Sequence, residues 1–181
     1  MSIKHPIIAI TGSSGAGTTS VKKTFEQIFR REKVNAVYIE GDAFHRWNRA
    51  EMREQMKAAA AKGDHHYSHF GDDANLFAEL EKTFRAYSET GAGKTRAYVH
   101  DDLEAEQHGC PPGTFTSWRE FEPGSDLLFY EGLHGALVTE NVNVALATST
   151  PALRTAVLLV LPIFFDPALQ ANPKFRQPIR V

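Results

Sequence analysis

The stretch Ile7–Ser20, IIAITGSSGAGTTS, decides how this chain folds. Ile7 to Ile10 is an unbroken apolar, β-rich run, the pattern of a strand buried on both faces of a parallel sheet. It runs into a glycine-rich turn and then into Val21 to Arg31, where Val21, Phe25, Ile28 and Phe29 recur at helical spacing. Val34 to Ile39 reads as a second strand that ends at Glu40-Gly41-Asp42. Strand, turn, helix and strand within about 40 residues form a βαβ unit, which places the turn at the carboxyl edge of a parallel sheet.

The turn keeps most of a phosphate-binding loop. That pattern is Gly, four residues, Gly, Lys, then Ser or Thr. Gly12 and Gly17 have the required separation, but Thr18 stands where the lysine belongs, and Thr19 follows. Glycines let successive N–H groups turn inward around a phosphate, and the next helix adds its positive end. Thr19 or Ser20 can offer a hydroxyl to Mg²⁺. The ammonium over the terminal phosphates is missing, so another cation must supply it.

Further along, Arg49 to Lys62 reads as a helix that stops at Gly63, and Asp72 to Tyr87 as a second, amphipathic one. Between them lies the polar segment Asp64 to Phe70, with three histidines. Their spacing matches no zinc pattern and no cysteine is near, so a polar loop is expected. Thr95 to His100 and Phe115 to Phe121 read as short strands joined through Cys110-Pro111-Pro112-Gly113, and Leu127 to Tyr130 as a buried strand closed by Glu131-Gly132.

Asp42 and Glu131 therefore each follow a predicted strand and adjoin a glycine, on the edge that carries the loop. One carboxylate there can hold Mg²⁺ and the other can accept a proton from an attacking hydroxyl. Two basic groups accompany them: His45, Arg46 and Arg49, then Arg96, Tyr98 and His100. Such groups suit an anionic sugar phosphate near the base. For Arg46, Arg96 and the pair Asp101-Asp102 a solvated surface is the expectation.

Bulk properties narrow the class. The 181 residues suit one domain, and 42% hydrophobic with 23% charged residues fits a globular protein rather than a disordered chain. A net charge of -2 offers no global attraction to nucleic acid or to an acidic membrane. The single cysteine, Cys110, excludes an internal disulfide. The short apolar run at the N-terminus lacks the features of a signal peptide, and Ala156 to Phe165 is about half of a bilayer-spanning length. A cytoplasmic location without nucleic-acid or membrane partners is expected.

With these residues in view, the chain resembles the phosphoribulokinases of proteobacterial type. The motifs are GSSGAGTTSVKKTFEQIFRRE, IEGDAFHRWNR, SHFGDDAN, TRAYVHDD and LLFYEGLHGALV, spread from about His5 to Asn143. The lysine-free loop, together with EGDAFHR and YEGLHG, sets this pattern apart from uridine and pantothenate kinases of the same fold group. The resemblance implies an α/β P-loop kinase core with a mostly parallel sheet flanked by helices. It implies ATP-dependent, Mg²⁺-assisted phosphorylation of ribulose 5-phosphate at its 1-hydroxyl, giving ribulose 1,5-bisphosphate for the Calvin cycle.

On that resemblance Gly12, Ser13, Ser14, Gly15, Ala16, Gly17, Thr18, Thr19 and Ser20 hold the ATP phosphates. Asp42 is the general base, and Glu131 binds or organises Mg²⁺ with Thr19. His45, Arg49 and His100 contact the sugar phosphate. Thr18 in place of lysine matches close family members. A single cysteine fits the bacterial branch, whose members are homo-oligomers answering to NADH and AMP, rather than the disulfide-switched plant type.

The resemblance stops near residue 144. From Ala145 to Val181 there is no glutamate, one aspartate and five of the nine prolines. Family members continue with a strand and a helix bearing a lysine, arginines and an aspartate, and the C-terminal part of that fold is missing here. Lys174, Arg176, Arg180 and Asp166 do not match them. We therefore expect a P-loop domain over 1–144 and a tail over 145–181 that is a frame-shifted or otherwise aberrant end, with very weak turnover as written. The competing readings are a genuine short variant in which AVLLVLPIFF is a strand, a nucleotide-binding fragment without catalysis, and a uridine-kinase-like nucleoside kinase.

Overall fold

Alternate residues of the first strand enter two different cores, and this alternation builds the fold. Strand β1 (Ile7–Gly12) sends Ile7 and Ala9 to one face of the sheet and Ile8 and Ile10 to the other, all of them buried. Strand β5 (Leu127–Gly132) does the same, with Leu128 and Tyr130 on the first face and Leu127 and Phe129 on the second. A computed structural model describes residues 4–12, 17–135 and, for the backbone, 145–149. Four loop residues, Ser13, Ser14, Gly15 and Ala16, lie outside the described residues, as do 136–144 and 150–181, with Asp166, Lys174, Arg176, Arg180 and the run Ala156–Phe165.

Helix α1 (Thr18–Arg31) covers the second face through Phe25 and Phe29, whose rings meet Phe129 at 5.0 and 5.7 Å. Strand β2 (Ala36–Glu40) pairs in parallel with β5, from Ala36↔Leu127 to Glu40↔Glu131. Helix α2 (Arg49–Ala61) starts at Asn48, whose side chain caps the amides of Ala50 and Glu51 while Glu51 returns a bond to the Asn48 amide. Helix α3 (Phe77–Thr90) covers the first face with Leu80, Phe84 and Tyr87.

The sheet order is β2-β5-β1-β6, all parallel, and β6 (Ala145–Ser149) pairs with β1 from Ile8↔Ala145 to Gly12↔Ser149. The sheet thus runs five residues past the composition boundary at 144. A separate antiparallel pair joins β3 (Lys94–Thr95) to β4 (Arg119–Glu120), extended by the bridge Tyr98↔Phe115.

Two local expectations change. The helix expected from Asp72 begins at Phe77, because Asp72–Ala74 is a 3-10 turn and Asn75 is extended. The Asn75 side chain and the Leu76 amide are committed to tertiary bonds, the latter to the Phe44 carbonyl at 2.8 Å. Within the segment read as a loop, Asp102–His108 forms helix α4, with the Asp101 carboxylate accepting from the Glu104 amide at 2.9 Å. No helix among the described residues is long and apolar enough to cross a membrane.

Candidate functional site

Two strand ends meet through bare backbone. A Cβ built on Gly41 would fall 2.5 Å from Tyr130 Oη and 3.1 Å from the Gly132 Cα, and one on Gly132 only 2.8 Å from the Gly41 Cα. Glycine at both positions lets the turn after β2 and the end of β5 touch. Glu40 and Glu131 sit opposite each other in the β2–β5 register, and Asp42 follows in a 3-10 turn over Gly41–Phe44.

A cavity of about 430 Å³ opens over this edge, lined among others by Gly12, Thr18, Thr19, Lys22, Glu131 and Asp42. At its rim α1 begins. The Gly17 carbonyl accepts from the Ser20 and Val21 amides, and no described side chain caps the helix, so its first N–H groups remain available to an anion. Ser20, expected to share in the phosphate loop, is one of these helix residues and is largely exposed.

Lys22, one helical turn beyond Thr18, lines the same cavity and forms an ion pair with Glu40. Burial disfavours its cation, but the bond to Glu40 and the nearby acidic charges outweigh that and raise its pKa. The sequence reading did not single it out, although helical spacing from Thr18 was the signal. It is a cation within this chain on the side where the loop lacks lysine.

A second cavity, of about 290 Å³, adjoins the first and is lined by Asp42, His45, Arg49, Arg53, Tyr98 and Trp47 among others. Asp42 and His45 border both. Two rings hold the Asp42 carboxylate: His45 Nε2 lies 3.2 Å from Oδ1 and His100 Nε2 lies 3.1 Å from Oδ2. The bonds from His100 and then His45 outweigh burial and hold this carboxyl far below the usual carboxylate range. In return, the bond to Asp42, aided by Glu104 and opposed by burial, pushes His100 up to about 9. Burial pulls His45 down, but its bonds to Asp42 and Asn75 and the Asp42 charge win, so its pKa is raised.

Arg49 joins this group at the start of α2, where its Nη2 donates to the His100 carbonyl at 2.9 Å. The predicted residues Asp42, His45, Arg49 and His100 therefore converge. Glu131 and Thr19 converge with Gly12, Gly17, Thr18 and Lys22 on the neighbouring side.

One residue expected on a solvated surface is structural instead. Arg96 donates to the carbonyls of Ala43 at 2.8 Å and His45 at 2.6 Å, with its guanidinium 3.6 Å above the Phe115 ring. It pins the segment that carries Asp42 and His45. Arg46 stays exposed, as expected, while donating to the carbonyls of Asp73 and Asn75 and so joining that segment to the turn before α3. Asp101 remains exposed but caps α4. Neither Phe115 nor the Ala43 carbonyl is near Arg96 in sequence, so this role had no local signal.

His65 and His66 are exposed, while His69 lines both cavities. Among the described residues no group of three His, Cys, Asp or Glu side chains is placed to hold a metal. Buried His134, also in the larger cavity, was not singled out by the sequence reading. Burial, then the neighbouring His45, lowers its pKa.

An uncapped helix start after a glycine turn, carboxylates at adjacent strand ends and a basic pocket beyond them define the P-loop phosphotransferase class. Comparison with known proteins narrows that class. The model of the Phosphoribulokinase / Uridine kinase family matches residues 7–150, and the chain belongs to this kinase family.

The phosphoribulokinase of Nitrobacter vulgaris is 70% identical over 142 residues, covering 78% of this chain and 49% of the relative. Phosphoribulokinase 1 of Cereibacter sphaeroides is 62% identical, over 80% of this chain and 50% of its own length. A solved phosphoribulokinase from Rhodobacter spheroides superposes with a TM-score of 0.66 at 57% identity, covering 75% of this chain and 45% of that one. The chain spans about half the length of the curated relatives it matches.

Proposed function

We propose that this chain carries the nucleotide and sugar-phosphate halves of an ATP-dependent kinase acting on ribulose 5-phosphate, with its 1-hydroxyl as acceptor. The carrying observation is the position of Asp42, which borders both cavities with a carboxylate oxygen toward each histidine. Identity to phosphoribulokinases over most of this chain supports the choice of sugar.

In this reading the residues Gly12 to Ser20 and the amino end of α1 bind the ATP phosphates. Glu131 and Thr19 offer hard oxygen donors, which suit a magnesium ion held by few protein ligands, and Mg²⁺ bound there would neutralise phosphate charge. His45, Arg49 and His100 bind and orient the sugar phosphate, and Asp42 accepts the hydroxyl proton. A weakly basic carboxylate suffices, because the phosphoryl group is transferred through a loose transition state in which positioning dominates. The family resemblance also supports a homo-oligomer in the cytoplasm.

The test is ADP release by the purified chain with ribulose 5-phosphate, uridine or neither. Release that requires ribulose 5-phosphate, and is slow beside that of full-length relatives, is expected. Transfer to uridine at an equal or higher rate would overturn the reading. ATP binding by calorimetry with no transfer to either acceptor would favour a nucleotide-binding fragment.

A further inference from the structure

The histidines that hold Asp42 are themselves held, and the acceptors around them fix where their protons sit. His45 Nδ1 lies 2.7 Å from Asn75 Oδ1. The Asn75 amide cannot be turned over, because its Nδ2 donates to the carbonyls of His69 at 2.9 Å and Gly71 at 2.7 Å. His45 therefore meets an acceptor at both ring nitrogens, Asn75 on one side and Asp42 on the other.

His100 repeats the pattern from the opposite side. Its Nδ1 lies 3.0 Å from Glu104 Oε2 and its Nε2 lies 3.1 Å from Asp42 Oδ2. The same Glu104 oxygen accepts from the His100 amide at 2.7 Å, and the Glu104 amide is fixed by Asp101. A neutral imidazole has one N–H and would turn a lone pair toward the other acceptor, whereas an imidazolium donates to both.

We propose that Glu104 is a positioning residue of this site, acting through His100 to fix that ring as a doubly protonated donor aimed at Asp42, as Asn75 does for His45. The inference rests on the reading of Asp42 as the proton acceptor. It adds that the donors around the base are already cations before an anionic substrate arrives. A ring in that state can shift its donor from Asp42 to an incoming phosphate without taking a proton from solvent.

The charged groups facing His100 are Asp42 from the 3-10 turn and Glu104 from α4, and Arg49 of α2 meets its backbone carbonyl. Tyr98 stands edge-on at 5.0 Å, an uncharged neighbour. Geometry thus places two anions against one ring and no cation beside its nitrogens among the described residues. The raised pKa of His100 agrees with that arrangement.

The experiment is a histidine-ring ¹⁵N spectrum of the full chain, with His100 assigned by loss of its signals in His100→Gln. At pH 7.5 both ring nitrogens of wild-type His100 should resonate as imidazolium. In Glu104→Ala the neutral form should appear and the midpoint should fall by about one unit. Glu104→Gln keeps an acceptor but no charge, and should fall between the two; it also serves if truncation unfolds α4. A neutral wild-type His100 at pH 7.5, or the same midpoint in all three folded proteins, would overturn the proposal. The readout needs no turnover, so failure of the proposed kinase activity and failure of this inference are separately visible.

Discussion

Asp42 follows β2 and Glu131 sits near the end of the adjacent β5, on one sheet edge, yet their surroundings are opposite. Asp42 has a histidine on each carboxylate oxygen, and the segment carrying it is pinned by Arg96. Among the described residues none donates a hydrogen bond to the Glu131 carboxylate, which lines the larger cavity together with Lys22 and helps to raise the pKa of that lysine. The contrast suits the roles proposed for them: a proton acceptor has its oxygens fixed in advance, whereas a carboxylate that enters the coordination shell of a hydrated cation is left open.

The sharpest way to break this contrast is Asp42→Asn. It keeps the shape but removes the acceptor, and turnover with ribulose 5-phosphate should fall by about 10³-fold, measured as kcat beside an ATP affinity that stays constant. An unchanged kcat would remove Asp42 from the chemistry. Glu131→Gln should act on the other half: the Mg²⁺ concentration needed for half-maximal ATP binding should rise at least about tenfold, with His100 titrating as in the wild type. An unaltered Mg²⁺ requirement would move the cation site away from Glu131.

The smallest effect is on stability. His100 is raised to about 9, so its contribution is full below its unfolded value near 6.5 and is lost as pH rises through about 9. Asp42 is depressed, so its contribution is present above the ordinary carboxylate value and is lost only in strong acid. The melting temperature should therefore decline between pH 7 and pH 10, and Asp42→Asn should flatten that slope. A parallel decline in both proteins would refute the coupling.

How far the sequence could be read follows the range of each interaction. The apolar runs at Ile7 and Leu127 announce strands buried on both faces, and the structure sends alternate residues into two cores. The site carboxylates were visible because each adjoins a strand end and a glycine. Asn75 was not, since what breaks the helix there is its bonding to His45, His69 and Gly71, the first of them thirty residues away. Arg96 looked like surface because its partners, Phe115 and the carbonyls of Ala43 and His45, come from other segments. Helix α4 carried local signs, the Asp101 cap and Gly109 at its end, but only seven residues of pattern between them.

The touch between Gly41 and Gly132 has a consequence for how such a site can vary. Because main chain meets main chain there, the gap between the two acidic turns is set like a fixed gauge, independent of any rotamer. Side chains around the gauge can be exchanged to suit another acceptor molecule, while the main-chain spacing between the segments that carry Asp42 and Glu131 stays the same. Widening it takes a methyl group at either glycine, and that single carbon would move both jaws at once.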